Sequence, residues 1–215
     1  MANKPEIILA SVSPRREQLL REMGLRFAVV QPLNVEELLT GAAPDVLAMQ
    51  NAQRKARAVA GSHPYATIIG ADTIVVLDGT IFGKPRDHND AVRMLEQLAG
   101  RQHEVITGVC LLHHSLDTEL TFADTTRVWM RPLSKKQIHD YLGKIDPSDK
   151  SSEGQNYSGE WQRRHGFLSW AGAYAIQQGD IIERIEGSYS NVMGLPIERL
   201  GATPERLGLR GSAGG

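Results

Sequence analysis

Along the first half of the chain, short apolar runs alternate with stretches whose apolar positions recur every three or four residues, the pattern of strands followed by amphipathic helices. The runs predict strands at Glu6–Ala10, Phe27–Gln31, Thr67–Leu77 and Glu104–Leu112. Helical spacing fills the gaps at Pro14–Met23, Pro44–Ala60 and Asp87–Leu98. In the first helix Leu19, Leu20 and Met23 form the apolar face, Ser13 is placed to cap the N-terminus, and Pro14 suits the first helical position. Asp78-Gly79 is a two-residue turn signal that folds Thr80–Phe82 back as a hairpin beside Ile74–Leu77. This order predicts an α/β protein with a central mixed sheet and flanking helices. A strand-rich stretch at Glu119–Met130, a helical segment at Ser134–Leu142 and a late strand at Asp180–Ile185 continue it, without an internal repeat.

Two segments stand apart. Ser151–Trp170, SSEGQNYSGEWQRRHGFLSW, is rich in Ser, Gly and polar residues yet carries two of the three tryptophans, which predicts a long loop with apolar anchors. The tail from Gly208, GLRGSAGG, has too little apolar content to pack. Residues 1–207 are therefore expected to form one domain with an inserted loop at 151–170, followed by a frayed tail at 208–215. A chain of 215 residues with 41% hydrophobic content can bury a full core, so disorder is not the default. Lys plus Arg (24) nearly balance Asp plus Glu (25), so no whole-chain field draws the protein to nucleic acid or anionic lipid, and any phosphate ligand must be held by local charge. The single Cys110, in VITGVCLL, excludes an internal disulfide framework and suits a reducing compartment. No apolar stretch approaches the roughly 18 residues of a membrane span. The N-terminus also lacks a signal-peptide core of proper length, and a cytoplasmic protein without a membrane partner is expected.

Candidate chemistry concentrates in two strings. In LASVSPRREQLL, Leu9–Leu20, two arginines open a helix directly after a buried strand. Unpaired amides and the positive dipole end attract anions there, and the guanidinium forks of Arg15 and Arg16 match phosphate oxygens. The alternative leaves both arginines on a solvated first turn, where basic side chains oppose the dipole. In IIGADTIVVLDGTIFGKPRD, Ile68–Asp87, Asp72 interrupts an apolar strand. A carboxylate among Ile68, Ile69, Ile74, Val75 and Val76 either lines a polar cleft or makes a structural ion pair, because burying it alone is costly. Gly70 and Ala71 leave room for a ligand, and a short hairpin carries Lys84 back towards the level of Asp72.

Other polar residues are less specific. Taken alone, Lys55 in NAQRKARAVA belongs with Arg54 and Arg57 to a solvated helix face. Glu36 and Glu37, before Leu38 and Leu39, suit a helix cap or a metal ligand. His113 and His114, adjacent at a strand end, point to opposite faces and are expected at the surface rather than on one metal.

LASVSPRREQLL, NAQRKA, IIGADTIVVLDGTIFGKPRD, HEVITGV, and GAYAIQ with GSYSNVMGLP, in that order and at these separations, closely resemble the Maf family of nucleotide pyrophosphatases, from about Ile7 to about Leu200. The resemblance implies a Maf/inosine triphosphate pyrophosphatase-like α/β fold with the site in a cleft between two lobes, commonly in a homodimer. It implies hydrolysis of a nucleoside triphosphate to the monophosphate and pyrophosphate with a divalent metal, Mg²⁺ or Mn²⁺. It puts the acid base on Asp72 and the phosphate contacts on Arg15, Arg16, Lys55 and Lys84, with Ser11 of the same strand-end motif among the substrate-binding positions. Glu37 falls on the family's acidic position and, with Asp72, is the implied metal ligand. Lys55 thereby changes from a solvated residue to a functional one.

Arg15, Thr73 and Gln177 fall on the three positions said to separate the family's specificities, and the combination resembles the branch acting on dTTP and UTP, modified pyrimidine nucleotides included. The branch acting on 7-methyl-GTP carries instead an aromatic residue after SP, Gln after the aspartate and Glu near the Gln177 position. A glutamine amide can read the O4 and N3–H edge of thymine or uracil, and the single methyl between those bases is weakly discriminated. One departure is large: family members run from DPxDK straight into AGAY, whereas here Asp146–Lys150 is parted from Ala171 by Ser151–Trp170. The insert either loops outward, at a closure cost that grows slowly with length, or folds over the cleft as a lid with Trp161, Arg163, Arg164 and Trp170 near the substrate. The rival function is a non-catalytic nucleotide-binding regulator of cell division or septum formation. A nucleic-acid-binding module is disfavoured by the neutral charge and the lack of aromatic stacking motifs.

Overall fold

The apolar triplet Ile7, Ile8 and Leu9 becomes the buried middle of strand β1 (Glu6–Ala10), on which the first parallel pairings are built. The structure, a computed structural model, describes residues 6–145, 167–177 and 180–203. After β1 come α1 (Pro14–Glu22), β2 (Phe27–Val29), α2 (Pro44–Ala60), β3 (Ala66–Leu77), β4 (Thr80–Phe82), α3 (His88–Leu98), β5 (Gln102–His113), β6 (Thr118–Met130), α4 (Lys135–Ile145), β7 (Ile182–Glu186), α5 (Tyr189–Met193) and α6 (Ile197–Gly201). Among the described residues one sheet runs β2-β1-β3-β5-β6-β7, with β4 paired to β3. β1 is parallel to β2 and β3, whereas β4 and β7 run antiparallel to β3 and β6, so the sheet is mixed, as the pattern predicts. Asp78 (φ 49°) and Gly79 (φ 77°) both adopt the left-handed region, which gives the tight hairpin its twist and pairs Leu77 with Thr80. None of the described helices is long and apolar enough to cross a membrane.

The chain divides into two compact units. The first comprises Met1–Thr73, Ile106–Thr125 and Ser188–Gly215. Its core is built where α2 lies on the sheet with almost nothing between: Ala48, Ala52 and Ala56, spaced four apart, have no exposed surface. A Cβ at Gly70 would lie 2.3 Å from the Ala52 carbonyl oxygen, and one at Gly108 would lie 2.2 Å from the Ala48 carbonyl carbon. Two glycines in neighbouring strands thus let a helix backbone touch the sheet. Ile8, Ile68, Val59 and Cys110 complete the packing, and burial pushes the Cys110 thiol up to about 12, leaving it an inert core residue.

The second unit comprises Ile74–Val105 and Thr126–Gly187. Here Asp87 caps α3 by accepting a hydrogen bond from the Asp90 N–H at 2.8 Å. The GAYA segment is anchored at each residue that can donate or pack: the Gly172 N–H donates to the Gly83 carbonyl at 3.1 Å, the Ala175 N–H donates to the Tyr141 hydroxyl at 2.9 Å, and the Tyr174 hydroxyl meets His103 Nε2 at 2.7 Å. Trp170, the last residue of the predicted insert, is buried. Lys150, residues 151–166 with Trp161, Arg163 and Arg164, and the tail 208–215 lie outside the described residues.

Two expectations are corrected, and several short elements lie outside the predicted pattern. Ser13 is the N-cap of α1 but makes no side-chain cap; its backbone N–H donates to Ser11 Oγ at 3.2 Å. His113 is buried, because β5 runs one residue further than its apolar pattern and is flanked on both edges by β3 and β6; only His114 is exposed. The helices α5 and α6 and the single 3-10 turns at His114–Leu116, Phe167–Ser169 and Ala171–Ala173 are too short to impose a periodicity on the sequence.

Two outcomes follow from this packing. Gly108→Ala forces a methyl into the α2 backbone and should lower the unfolding free energy by about 2–3 kcal/mol, read as a lower urea midpoint at unchanged m-value. Burial pulls the His103 imidazole from its ordinary 6.5 to about 4. The unfolded chain therefore binds a proton that the folded protein excludes, so stability is full above pH 6.5 and falls as the pH drops towards 4. Urea denaturation against pH should find the parent losing up to about 3 kcal/mol in that window relative to His103→Asn.

Candidate active site

The close approach of α2 brings two polar side chains, one helical turn apart, against β3 in the first unit. Lys55 Nζ lies 2.5 Å from Asp72 Oδ1 and 2.8 Å from Glu37 Oε1. Asn51, with no exposed surface, donates from Nδ2 to Asp72 Oδ2 at 2.9 Å and to the Leu38 carbonyl at 2.9 Å, and its Oδ1 accepts from the Leu38 N–H at 2.7 Å. Arg54 Nη1 donates to the Glu36 carbonyl at 3.1 Å. Residues 51, 54 and 55 share one face of the helix, and they hold the successive loop residues 38, 36 and 37. The Asp72 side chain is 4% exposed and that of Lys55 10%, so the acid is buried, yet both of its oxygens are matched by donors.

Beside this cluster the first turn of α1 supplies a second cation. Arg16 is buried and donates from Nε to the Gly194 carbonyl at 2.8 Å, from Nη1 to Ser11 Oγ at 3.2 Å and from Nη2 to Thr73 Oγ1 at 3.0 Å. Burial holds the guanidinium below its ordinary pKa, while the negative charges of Asp72 and Glu37 act against that. Of the five N–H donors of a guanidinium, two remain for an incoming anion. Arg15 is half-buried on the same turn. Two carboxylates, an ammonium and a guanidinium thus converge where β1 and the middle of β3 meet the N-terminus of one helix, an arrangement that can orient phosphate and take a proton.

Sequence comparison identifies the relatives of this chain. The family described as Maf-like protein matches residues 6–206. The chain belongs to the Maf family. It is 42% identical over 209 residues to a dTTP/UTP pyrophosphatase of Dictyoglomus thermophilum, covering 95% of this chain and 97% of that one. A dTTP/UTP pyrophosphatase of Symbiobacterium thermophilum is 42% identical over 196 residues, 90% of each chain, and one of Geobacter metallireducens is 42% identical over 199 residues, 92% of this chain and 93% of that one. Among solved structures, a Ham1 protein of Staphylococcus aureus aligns with a TM-score of 0.42 at 16% identity, over 58% of this chain and 71% of that chain.

In this Maf chain the predicted residues divide by unit. Ser11, Arg16, Glu37, Lys55, Asp72 and Thr73 come together in the first. Lys84, exposed just after β4, and Gln177, exposed after the Ala171–Ala173 turn, belong to the second. The solvated readings of Arg16 and Lys55 are overturned, since both are buried. For Asp72 the ion-pair alternative holds as geometry, with Lys55 as the partner. Sequence reasoning missed Asn51. Asn51 stands with Leu47, Lys55 and Val59 in a four-residue register of buried positions, so two polar residues in that stripe were the available signal. A separate hollow of about 390 Å³ in the first unit, lined by Arg57, Gly61, His113, His114, Asp117 and Glu119, includes none of the predicted site residues.

The Lys55–Asp72 pair is testable as an energetic unit. Lys55→Met leaves a buried carboxylate without its counter-charge and should cost about 3–5 kcal/mol. Adding Asp72→Asn should return part of that loss, and a urea double-mutant cycle should give a coupling above about 1 kcal/mol. Additive losses would mean that the pair is not a unit.

Proposed function

We propose that this Maf protein is a nucleoside triphosphate diphosphatase that hydrolyses dTTP and UTP, and modified pyrimidine nucleotides of the same shape, to the monophosphate and pyrophosphate. The observation that carries this reading is the buried acid Asp72, clamped by Lys55 and Asn51 beside the partly committed guanidinium of Arg16. The dTTP/UTP pyrophosphatases among its relatives support the substrate class. A regulator that only senses nucleotide needs the anion-binding cations but gains nothing from a buried carboxylate held by two donors, so the same observation favours turnover over binding alone.

Water attacks the α-phosphorus: a P–O bond to water forms, the bond to the bridging oxygen breaks, and pyrophosphate leaves with the electron pair. Asp72 takes the water proton. Arg15, Arg16 and Lys55, with Lys84 added by the family resemblance, spread the charge of the leaving pyrophosphate, since phosphoryl transfer relies on positioning and electrostatics. Ser11 holds one edge of Arg16 at the strand end. Glu37 and Asp72 fit a divalent cation as hard oxygen donors that already share one positive group, Lys55. Mg²⁺ or Mn²⁺, ions that prefer such oxygen donors, would be held by these two carboxylates. Such an ion would supply charge neutralisation on the phosphates and would acidify water.

In this reading Gln177 reads the O4 and N3–H edge of the base, and Arg15 and Thr73 are the other two positions at which the family resemblance separates specificities. Assembly as a homodimer also rests on that resemblance, and a cytoplasmic setting is supported by the lone, buried Cys110.

Incubating the protein with a panel of triphosphates and Mg²⁺ or Mn²⁺ should release pyrophosphate, fastest from dTTP and UTP. Inorganic phosphate with a diphosphate product would overturn the assignment. Asp72→Asn should lose about 10²–10⁴-fold in kcat while still binding nucleotide. Full activity in that variant would remove Asp72 as the base.

A further inference from the structure

The hydroxyl protons around Arg16 are fixed by elimination. A carbonyl only accepts, so the 3.0 Å bond between Thr107 Oγ1 and the Asn191 carbonyl uses the Thr107 proton. A guanidinium only donates, so the 3.0 Å bond from Arg16 Nη2 to Thr73 Oγ1 uses a lone pair of Thr73. The 3.0 Å contact between Thr73 Oγ1 and Thr107 Oγ1 then has one proton available, that of Thr73. The chain runs one way, from Arg16 to Thr73 to Thr107 to the Asn191 carbonyl. It closes on itself, because Arg16 Nε donates to the carbonyl of Gly194, the C-cap of the same short helix α5 that contains Asn191. Gly194 has φ 113°, and a Cβ there would stand 3.3 Å from Thr73 Oγ1 and 3.4 Å from Arg16 Nε, so the ring is also closed sterically.

We propose that Thr107 is a positioning residue for the substrate phosphates: through Thr73 it fixes the guanidinium of Arg16, so that position 73 acts on the phosphate chain and not on the base. Thr73 has spent its only proton on Thr107 and cannot donate to a pyrimidine carbonyl. Thr107 has no exposed surface and touches no ligand itself. A single change at Thr107 therefore frees the Thr73 hydroxyl to rotate and loosens one of the bonds that orient Arg16. This rests on Arg16 as a phosphate ligand in the proposed hydrolysis.

The test compares the parent with Thr107→Val, which keeps shape and loses the hydroxyl, and Thr107→Ser, which keeps the hydroxyl. Binding of α,β-methylene-dTTP is measured by calorimetry, and that of inorganic tripolyphosphate by competition against it; kcat and KM are measured for dTTP, UTP and CTP. Thr107→Val should raise Kd for the nucleotide analogue and for tripolyphosphate by the same factor, about five- to tenfold. KM should rise equally for all three bases, and Thr107→Ser should stay within about twofold of the parent. If Thr107→Val does not fold, Thr73→Val cuts the same chain and should give the same base-independent factor. A loss seen with the nucleotide but not with tripolyphosphate overturns the proposal in favour of base reading. So does a loss shared by Thr107→Ser, an unchanged Kd, or a parent that does not bind tripolyphosphate. Absence of pyrophosphate release by the parent counts against hydrolysis alone, and the binding comparison still decides the role of Thr107.

Discussion

How closely α2 lies on the sheet determines the chemistry of the first unit. Ala48, Ala52 and Ala56 bring the helix backbone onto Gly70 and Gly108, a contact that any larger side chain on either surface would open. Only at that spacing does a lysine reach a strand aspartate at 2.5 Å while an asparagine one turn earlier reaches the other oxygen of the same carboxylate. A buried ion pair is a poor source of stability, because the desolvation of both charges offsets their attraction. Its presence in a packed helix-sheet interface is better explained by function than by folding. The alanine and glycine contacts supply the packing that makes such a pair tolerable.

The same helix disciplines a long irregular connection. Between β2 and α2 the chain runs through residues 30–43 without regular structure, where Leu33 and Leu39 are exposed. Such a loop has few apolar contacts to order it. Order comes instead from three α2 side chains, Asn51, Arg54 and Lys55, which grip residues 36–38 through backbone and carboxylate contacts. Asn51 holds both the N–H and the carbonyl of Leu38, so it ties the loop that carries Glu37 directly to Asp72. Helix α2 thus helps to place Glu37, and the charges of the site are preset before any ligand arrives.

The fold was largely legible in its patterned elements: α2, β4 and β1 begin and end where the pattern puts them, and the Asp78-Gly79 turn needs no context. The site was legible only in part. Asp72 declares itself as a charge in an apolar strand, whereas Lys55 and Arg16 look like any solvated cation, because burial of a polar residue is decided by what packs over it. Asn51 and Thr107 carry no charge and sit in elements whose pattern they barely disturb, so their hydrogen bonds appear only in three dimensions.

The strings that mark the family are therefore not lists of catalytic residues. HEVITGV contributes Thr107 to the Arg16 ring in the first unit, but its His103 is buried against Tyr174 in the second, where Tyr174 belongs to GAYAIQ. In GAYAIQ, Gly172, Tyr174 and Ala175 are all engaged in packing and hydrogen bonds, which leaves Gln177 as the exposed residue of the string. GSYSNVMGLP supplies two carbonyls, those of Asn191 and Gly194, and its Ser188 caps α5 by accepting from the Asn191 N–H at 3.0 Å. A motif of this kind recurs because a few chemical groups demand a particular scaffold, and most of its letters describe the scaffold. Substitutions inside these strings should accordingly be interpreted first through what they do to helix caps, glycine contacts and hydrogen-bond rings, and only then through contact with a nucleotide.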